Sequence, residues 1–231
     1  MSDEKTVPVI AIDGPGGAGK GTVSRLVAAA LGWHYLDSGA LYRAVGLAVA
    51  RSDLAQAGPE AIGRFVSNLD IHFAIGPDNE ERILLDTKDV SRLIRTEEAG
   101  KAASEVAAIP EVRKALIRIQ RGFRRQPGLV ADGRDMGTVL FADAGLKIYL
   151  TASPAERAQR RHKQLKGKGM DVSLAALLTD IIERDRRDAQ RSVAPLKPAF
   201  DAVCIETTGV PIEVVVNQVL ALAASSFGSA A

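Results

Sequence analysis

The chain has 231 residues, 46% of them hydrophobic, and a net charge of +2. That length suits one α/β core with small insertions, and the near-neutral balance leaves no global charge excess to hold nucleic acid. The single cysteine, Cys204, excludes an internal disulfide and a four-cysteine zinc site, and no run is long enough to span a membrane.

Lying in Ala202-Val203-Cys204-Ile205, Cys204 is expected to be a buried small hydrophobe, in keeping with a reducing cytoplasm. The polar start, Met1-Ser2-Asp3-Glu4-Lys5, lacks the pattern of a signal peptide.

The apolar run Val9-Ile10-Ala11-Ile12-Asp13 reads as a first strand. It stops at Gly14-Pro15-Gly16-Gly17-Ala18-Gly19-Lys20-Gly21-Thr22, which has the G-x-x-x-x-G-K spacing of a phosphate-binding loop. Glycines let backbone N–H groups curl around an anion, and a following helix adds its dipole. Lys20 is placed to neutralise the β- and γ-phosphates of a nucleoside triphosphate. The Ser or Thr that usually holds Mg²⁺ should follow Lys20 directly, but Gly21 stands there and Thr22 comes next. Gly14-x-Gly16-x-x-Gly19 also satisfies the dinucleotide fingerprint, with Asp37 about 20 residues on where a ribose-binding acid belongs. A pyrophosphate is normally met by bare backbone, so Lys20 weighs for the P-loop; a ligand-free glycine turn is the third reading.

Val23, Leu26, Val27, Ala30 and Leu31 recur at helical spacing, and Gly32 ends that helix. Trp33 to Leu36 reads as a second strand, followed by a helix through Tyr42, Val45 and Val49. This β-α-β-α opening implies a parallel sheet. Asp70 to Ile75 and Arg82 to Asp86 then read as two short strands around a Gly76-Pro77-Asp78-Asn79 turn, an insertion foreign to such a sheet. Helical sequence resumes at Thr96, breaks at Pro110 and runs to Gln126. Gly128 to Asp132 and Leu146 to Leu150 read as buried parallel strands. Ser153-Pro154-Ala155-Glu156 is a capping box opening a helix, and another helix covers Ser173 to Arg191. Val203 to Thr207 is a last strand and Pro211 to Leu222 a last helix, with Ser225 to Ala231 a frayed tail. The inserts are expected over the carboxyl ends of the strands, where ligands bind in such sheets.

Arginines gather after these strand ends. Arg157, Arg160 and Arg161 open the late insert, and Arg184, Arg186, Arg187 and Arg191 close it. A solvated helix face would look similar, but arginine binds phosphate bidentately and a transferring phosphoryl group needs positive charge around it. In Asp132-Gly133-Arg134-Asp135 two carboxylates and a guanidinium crowd one strand end. One acid can hold metal-bound water and the other accept from a base amino group. His34, His72 and His162 are scattered and carry no assigned chemistry.

The glycine loop, with its Gly-Lys-Gly-Thr ending, resembles that of the nucleoside monophosphate kinases. Leu36-Asp37-Ser38-Gly39-Ala40-Leu41-Tyr42-Arg43, Ala131-Asp132-Gly133-Arg134-Asp135-Met136-Gly137-Thr138, Glu183-Arg184-Asp185-Arg186-Arg187-Asp188 and Ala194-Pro195-Leu196 resemble the bacterial cytidylate kinases over essentially the whole chain. The resemblance implies an α/β P-loop kinase fold. Its five-stranded parallel sheet is flanked by helices, and it carries a monophosphate-binding insert with a small antiparallel sheet and a short helical lid. The core would cover about 6–60, 127–155 and 195–225, the insert about 61–126 and the lid about 156–190, all one kinase domain; around Gly167-Lys168-Gly169 the lid is loosely patterned.

By the same resemblance, Gly14 to Thr22 hold ATP, with Lys20 on the phosphates and Thr22 near Mg²⁺. Ser38, Arg43, Arg134 and Arg191 face the acceptor phosphate. Ser104, Arg113 and Asp135 read the cytosine edge, and Arg184 and Asp188 bind the sugar. Arg157 and Arg161 close over the transferring phosphoryl group, and Asp132 is a second candidate for the metal, through water. The implied reaction is transfer from ATP to CMP or dCMP by a cytoplasmic monomer, with neither nucleic acid nor membrane as partner. The residues alone leave open a kinase for another monophosphate or a non-nucleotide acceptor, and a nucleotide-binding switch without transfer. Only the resemblance selects cytosine.

Overall fold

The computed structural model describes residues 7–54, 57–75, 81–167 and 169–228. The Met1 to Lys5 start, the Gly76-Pro77-Asp78-Asn79 turn, Lys168 in the lid and the last three residues lie outside the described residues.

Two compact units form, one from residues 1–36 and 121–231, the other from Asp37–Gln120. The second unit thus begins with the helix after the second strand, whereas the resemblance began the insert near residue 61.

The first unit is built on β1 (Val9–Asp13), β2 (His34–Asp37), β6 (Leu129–Asp132), β7 (Leu146–Thr151) and β8 (Val203–Glu206). They form a five-stranded parallel sheet in the order β2-β6-β1-β7-β8. Ile12 pairs with Asp132 on one side of β1, and Asp13 with Tyr149 on the other. Position in the sheet explains composition: central β1 and β6 are buried at every residue, as their unbroken apolar runs require, while β7 alternates. Helices α1 (Lys20–Leu31) and α8 (Ile212–Phe227) cover one face. There Ile10, Ile12, Val23, Val27, Ile148, Leu150, Ile205 and Val219 form the core, each side chain contributing about 1.5–3 kcal/mol. The inward face of α1 is Val23, Ser24, Val27 and Ala28; Leu26 and Ala30 face outward.

Cys204 is exposed, which corrects its expected burial. It sits on edge strand β8, of which only Ile205 is buried. Helix α8 runs five residues past the expected Leu222, through Ser225 to Phe227, because Phe227 packs edge-on against Trp33 with ring centroids 5.3 Å apart. The lid sequence forms α6 (Pro154–Lys166) and α7 (Leu174–Ala189), capped by the hydroxyls of Ser153 and Ser173.

The second unit contains α2 (Ser38–Ala50), α3 (Pro59–Ser67), β3 (Ile71–Ile75), β4 (Glu81–Leu85), β5 (Lys88–Asp89), α4 (Glu97–Val106) and α5 (Pro110–Arg121). Its core includes Leu41, Val45, Val49, Ile62, Val66, Ile83, Val112 and Leu116. The antiparallel sheet has three strands rather than two. The third is only Lys88-Asp89, both exposed, so it carries no alternation to read. Its turn is Asp86-Thr87, both at positive φ, without the glycine that usually marks such a hairpin. Pro110 opens α5 as its first residue, and that helix stops at Arg121, short of the expected Gln126.

Candidate active site

β1 ends in the buried Asp13, whose carboxylate accepts from the N–H groups of Met136 and Gly137, both at 2.8 Å. Burial raises its pKa to about 6, against the pull of those two N–H groups. The anchor explains an element the sequence does not announce, a π-helical turn over Met136–Leu140. The loop leaves β1 at Gly14, where φ is 144° and a Cβ would lie 1.9 Å from the Leu150 carbonyl oxygen. Only glycine turns there.

Lys20 starts α1 and lies 5% exposed. Its Nζ donates to the Pro15 carbonyl at 2.9 Å and stands 4.0 Å from Asp132 Oδ1. Burial, then the Arg134 charge, lowers its pKa to about 7, opposed by Asp132 and Asp13. At Gly21 a Cβ would stand 3.4 Å from Asp132 Oδ2 and 3.8 Å from the Tyr35 hydroxyl, both ordinary contact distances. Thr22 follows, exposed at the first turn of α1. Asp37 caps α2 by accepting from the Ala40 N–H at 2.8 Å, a structural use of the acid singled out as a possible ribose ligand.

At the end of β6 and in the turn after it, Asp132 and Asp135 are buried and Arg134 half-buried. Asp188, 2% exposed on α7, gathers three arginines: Arg191 bonds its Oδ1, and Arg134 Nε and Arg184 Nε stand 3.7 and 3.9 Å from its Oδ2. The Arg184 and Arg134 guanidiniums also flank Gly16. Three arginines expected around the acceptor are therefore gathered by one carboxylate, itself among the expected residues.

Arg157 behaves differently. It is 2% exposed. It donates to the carbonyls of Ala152 at 2.9 Å and Gly16 at 3.1 Å, and through both Nη atoms to Asp185. Four of its five N–H groups are engaged within the protein. Arg161, on the same helix, bonds Gln164 at 3.4 Å. Arg160 reaches Thr207, whose hydroxyl lies 3.2 Å from the Ala18 carbonyl of the loop.

In the second unit, Ser38 donates to Gln120 Oε1 at 3.0 Å. Arg43 donates to the carbonyls of Ile94 and Thr96 at 2.9 and 3.1 Å. Arg113, buried, lies over the Tyr42 ring at 5.8 Å and reaches the Ala107 carbonyl; Ser104 is buried on α4. Asp13, Gln120, Asp185 and Thr207 were not singled out from the sequence. Of these, Asp13 and Thr207 carried a readable signal, their places at or just past the carboxyl end of a strand of the parallel sheet.

Oxygen donors near the loop are Asp132 and the Thr22 hydroxyl, the chemistry Mg²⁺ prefers. Among the described residues no cluster of three or more His, Cys, Asp or Glu could hold a metal by itself. That fits an ion bound through one or two protein oxygens plus substrate phosphates and water.

A parallel sheet that feeds a glycine loop, a buried lysine at its floor and an arginine set on the following helices define a P-loop kinase. Residues 10–225 match the family model described as cytidylate kinase. The chain is 54% identical over 224 residues to a cytidylate kinase of Aeromonas salmonicida, covering 96% of each chain. It is 53% identical over 221 residues to one of Aeromonas hydrophila, again covering 96% of each. With one of Pseudomonas paraeruginosa it shares 54% over 215 residues, 93% of this chain and 94% of the relative. The chain belongs to the cytidylate kinase family. Among the described residues no helix is long and apolar enough to cross a membrane.

Proposed function

We propose that the chain transfers the terminal phosphoryl group of ATP directly to CMP or dCMP, giving ADP and CDP or dCDP. The observation that carries the reading is the pairing of a buried lysine inside the phosphate loop with a second set of arginines gathered on Asp188. A switch that only binds a triphosphate has no second anion to hold.

The nucleophile is already an anionic phosphate oxygen, so no general base is needed. What remains is to bring two polyanions in line, cancel their repulsion and keep water out. The backbone N–H groups of the Gly14–Thr22 loop, Pro15 having none, and the Lys20 ammonium hold the donor phosphates. Arg134 and Arg191 neutralise the acceptor phosphate, with Ser38 and Arg43. Asp135, Ser104 and Arg113 read the cytosine edge, and Arg184 and Asp188 hold the sugar. Arg161 supplies charge to the moving phosphoryl group. Arg157 fixes the loop through Gly16 and reaches the phosphates through its one remaining N–H or by exchanging a present partner. Mg²⁺, held by Thr22 and, through water, Asp132, would neutralise charge on the phosphates. A cytoplasmic monomer completes the reading, since one chain furnishes every group it names.

The test is ADP formation from Mg-ATP and CMP by the native chain and by Lys20→Ala. Loss of several orders of magnitude in kcat is expected; near-native turnover contradicts the role of the loop.

A further inference from the structure

Ser38 and Gln120 face each other within one unit, each 3% exposed, with Ser38 Oγ donating to Gln120 Oε1 at 3.0 Å. A serine hydroxyl has one proton and two lone pairs. With that proton on Gln120, Ser38 offers only lone pairs to anything else. A phosphate dianion offers only acceptors, so lone pair would face lone pair. If the hydroxyl turns its proton to a phosphate oxygen instead, a Ser38 lone pair faces Gln120 Oε1 unless the amide reverses.

An amide is the side chain that can. Turned over about its terminal torsion, Gln120 presents Nε2–H to the same Oγ and becomes the donor. Ser38 then keeps an acceptor role toward Gln120 and its proton is free for a phosphate oxygen. We infer that Gln120 is a positioning residue that sets the direction of the Ser38 proton and thereby governs binding of the acceptor monophosphate. This rests on the reading of Ser38 as a phosphate ligand.

Glutamate and methionine separate this role from packing. Glutamate has nearly the shape of glutamine, but ionised it can only accept, so it fixes the proton in the unproductive direction and adds charge near a phosphate. Methionine fills similar volume and releases the proton. The experiment is steady-state kinetics with CMP varied at saturating Mg-ATP, for Gln120→Glu and Gln120→Met, each alone and combined with Ser38→Ala. The expected result is a KM for CMP raised about tenfold or more by Gln120→Glu and about threefold or less by Gln120→Met, on the scale of one buried hydrogen bond. The KM for ATP should stay within about twofold. Without the Ser38 hydroxyl the Gln120→Met effect should vanish, and the Gln120→Glu effect should shrink to the part due to its added charge.

Equal damage from both substitutions, persisting in the Ser38→Ala background, would show that Gln120 only fills space and overturns the inference. If Gln120→Glu does not fold, Gln120→Met with and without Ser38→Ala still decides: a loss that persists without the hydroxyl overturns it, and one that disappears supports it. A Ser38→Ala variant with native KM for CMP would instead overturn the phosphate reading itself, and this inference with it.

Discussion

Arg157 and Asp185 form a two-pronged ion pair, Nη1 to Oδ1 at 3.0 Å and Nη2 to Oδ2 at 2.5 Å. The same guanidinium donates to Gly16 of the phosphate loop, so α6, α7 and the loop share one anchor. Lysine keeps the charge but cannot serve both carboxylate oxygens and two carbonyls. Arg157→Lys should lower unfolding free energy by about 2–4 kcal/mol and raise the KM for ATP more than that for CMP. Urea denaturation and kinetics check both; native stability contradicts the anchor.

The lysine in the loop gives a prediction with a sign. Its pKa in the free protein is about 7, lowered chiefly by burial. A bound triphosphate favours the charged form, so binding at pH 8 should take up most of one proton, and little at pH 6. Calorimetry of Mg-ATP binding in buffers of different ionisation enthalpy reads this directly. Lys20→Met should show no uptake at pH 8. Because the folded pKa lies below the unfolded one, the stability Lys20 contributes is present above pH 10.5 and lost as pH falls through about 7. Lys20→Met should therefore melt higher than native protein at pH 6, with the gain gone above pH 10.5.

Gly14 ties sequence to geometry most tightly. An alanine Cβ at that φ would meet the Leu150 carbonyl at 1.9 Å. Gly14→Ala should cost more than about 3 kcal/mol of stability and abolish ATP binding in what folds. A stable variant that still binds ATP contradicts the turn as described.

Asp135 is buried where the turn after β6 leaves the sheet, and its backbone carbonyl accepts from Val139 and Leu140. As a base reader it should discriminate: Asp135→Ala raises the KM for CMP at least about tenfold and leaves ATP affinity within about twofold. Equal loss for both substrates rejects the assignment.

Much of this was legible because it is local. The glycine spacing from Gly14 to Gly19 and the Arg184–Asp188 pair one helical turn apart lie within single elements. What escaped depends on contacts between distant segments. Thr207 meets Ala18 across 189 positions, Asp13 meets Met136 across 123, and Gln120 meets Ser38 across 82. No pattern in a single sequence pairs such positions. Arg157 shows the converse: its place in an arginine run suggested a phosphate ligand, and only three-dimensional packing reveals that most of its donors are already in use. Cys204 misleads for a related reason, since apolar neighbours do not say whether a strand lies at the edge of its sheet.

The central claim is phosphoryl transfer to a cytosine monophosphate. The most direct measurement is ADP formation from Mg-ATP with CMP, dCMP, UMP, AMP and GMP offered one at a time. Turnover with CMP and dCMP far above the purine nucleotides is the predicted result. Preferred turnover with AMP or GMP, or none with any of the five while ATP still binds, would contradict it.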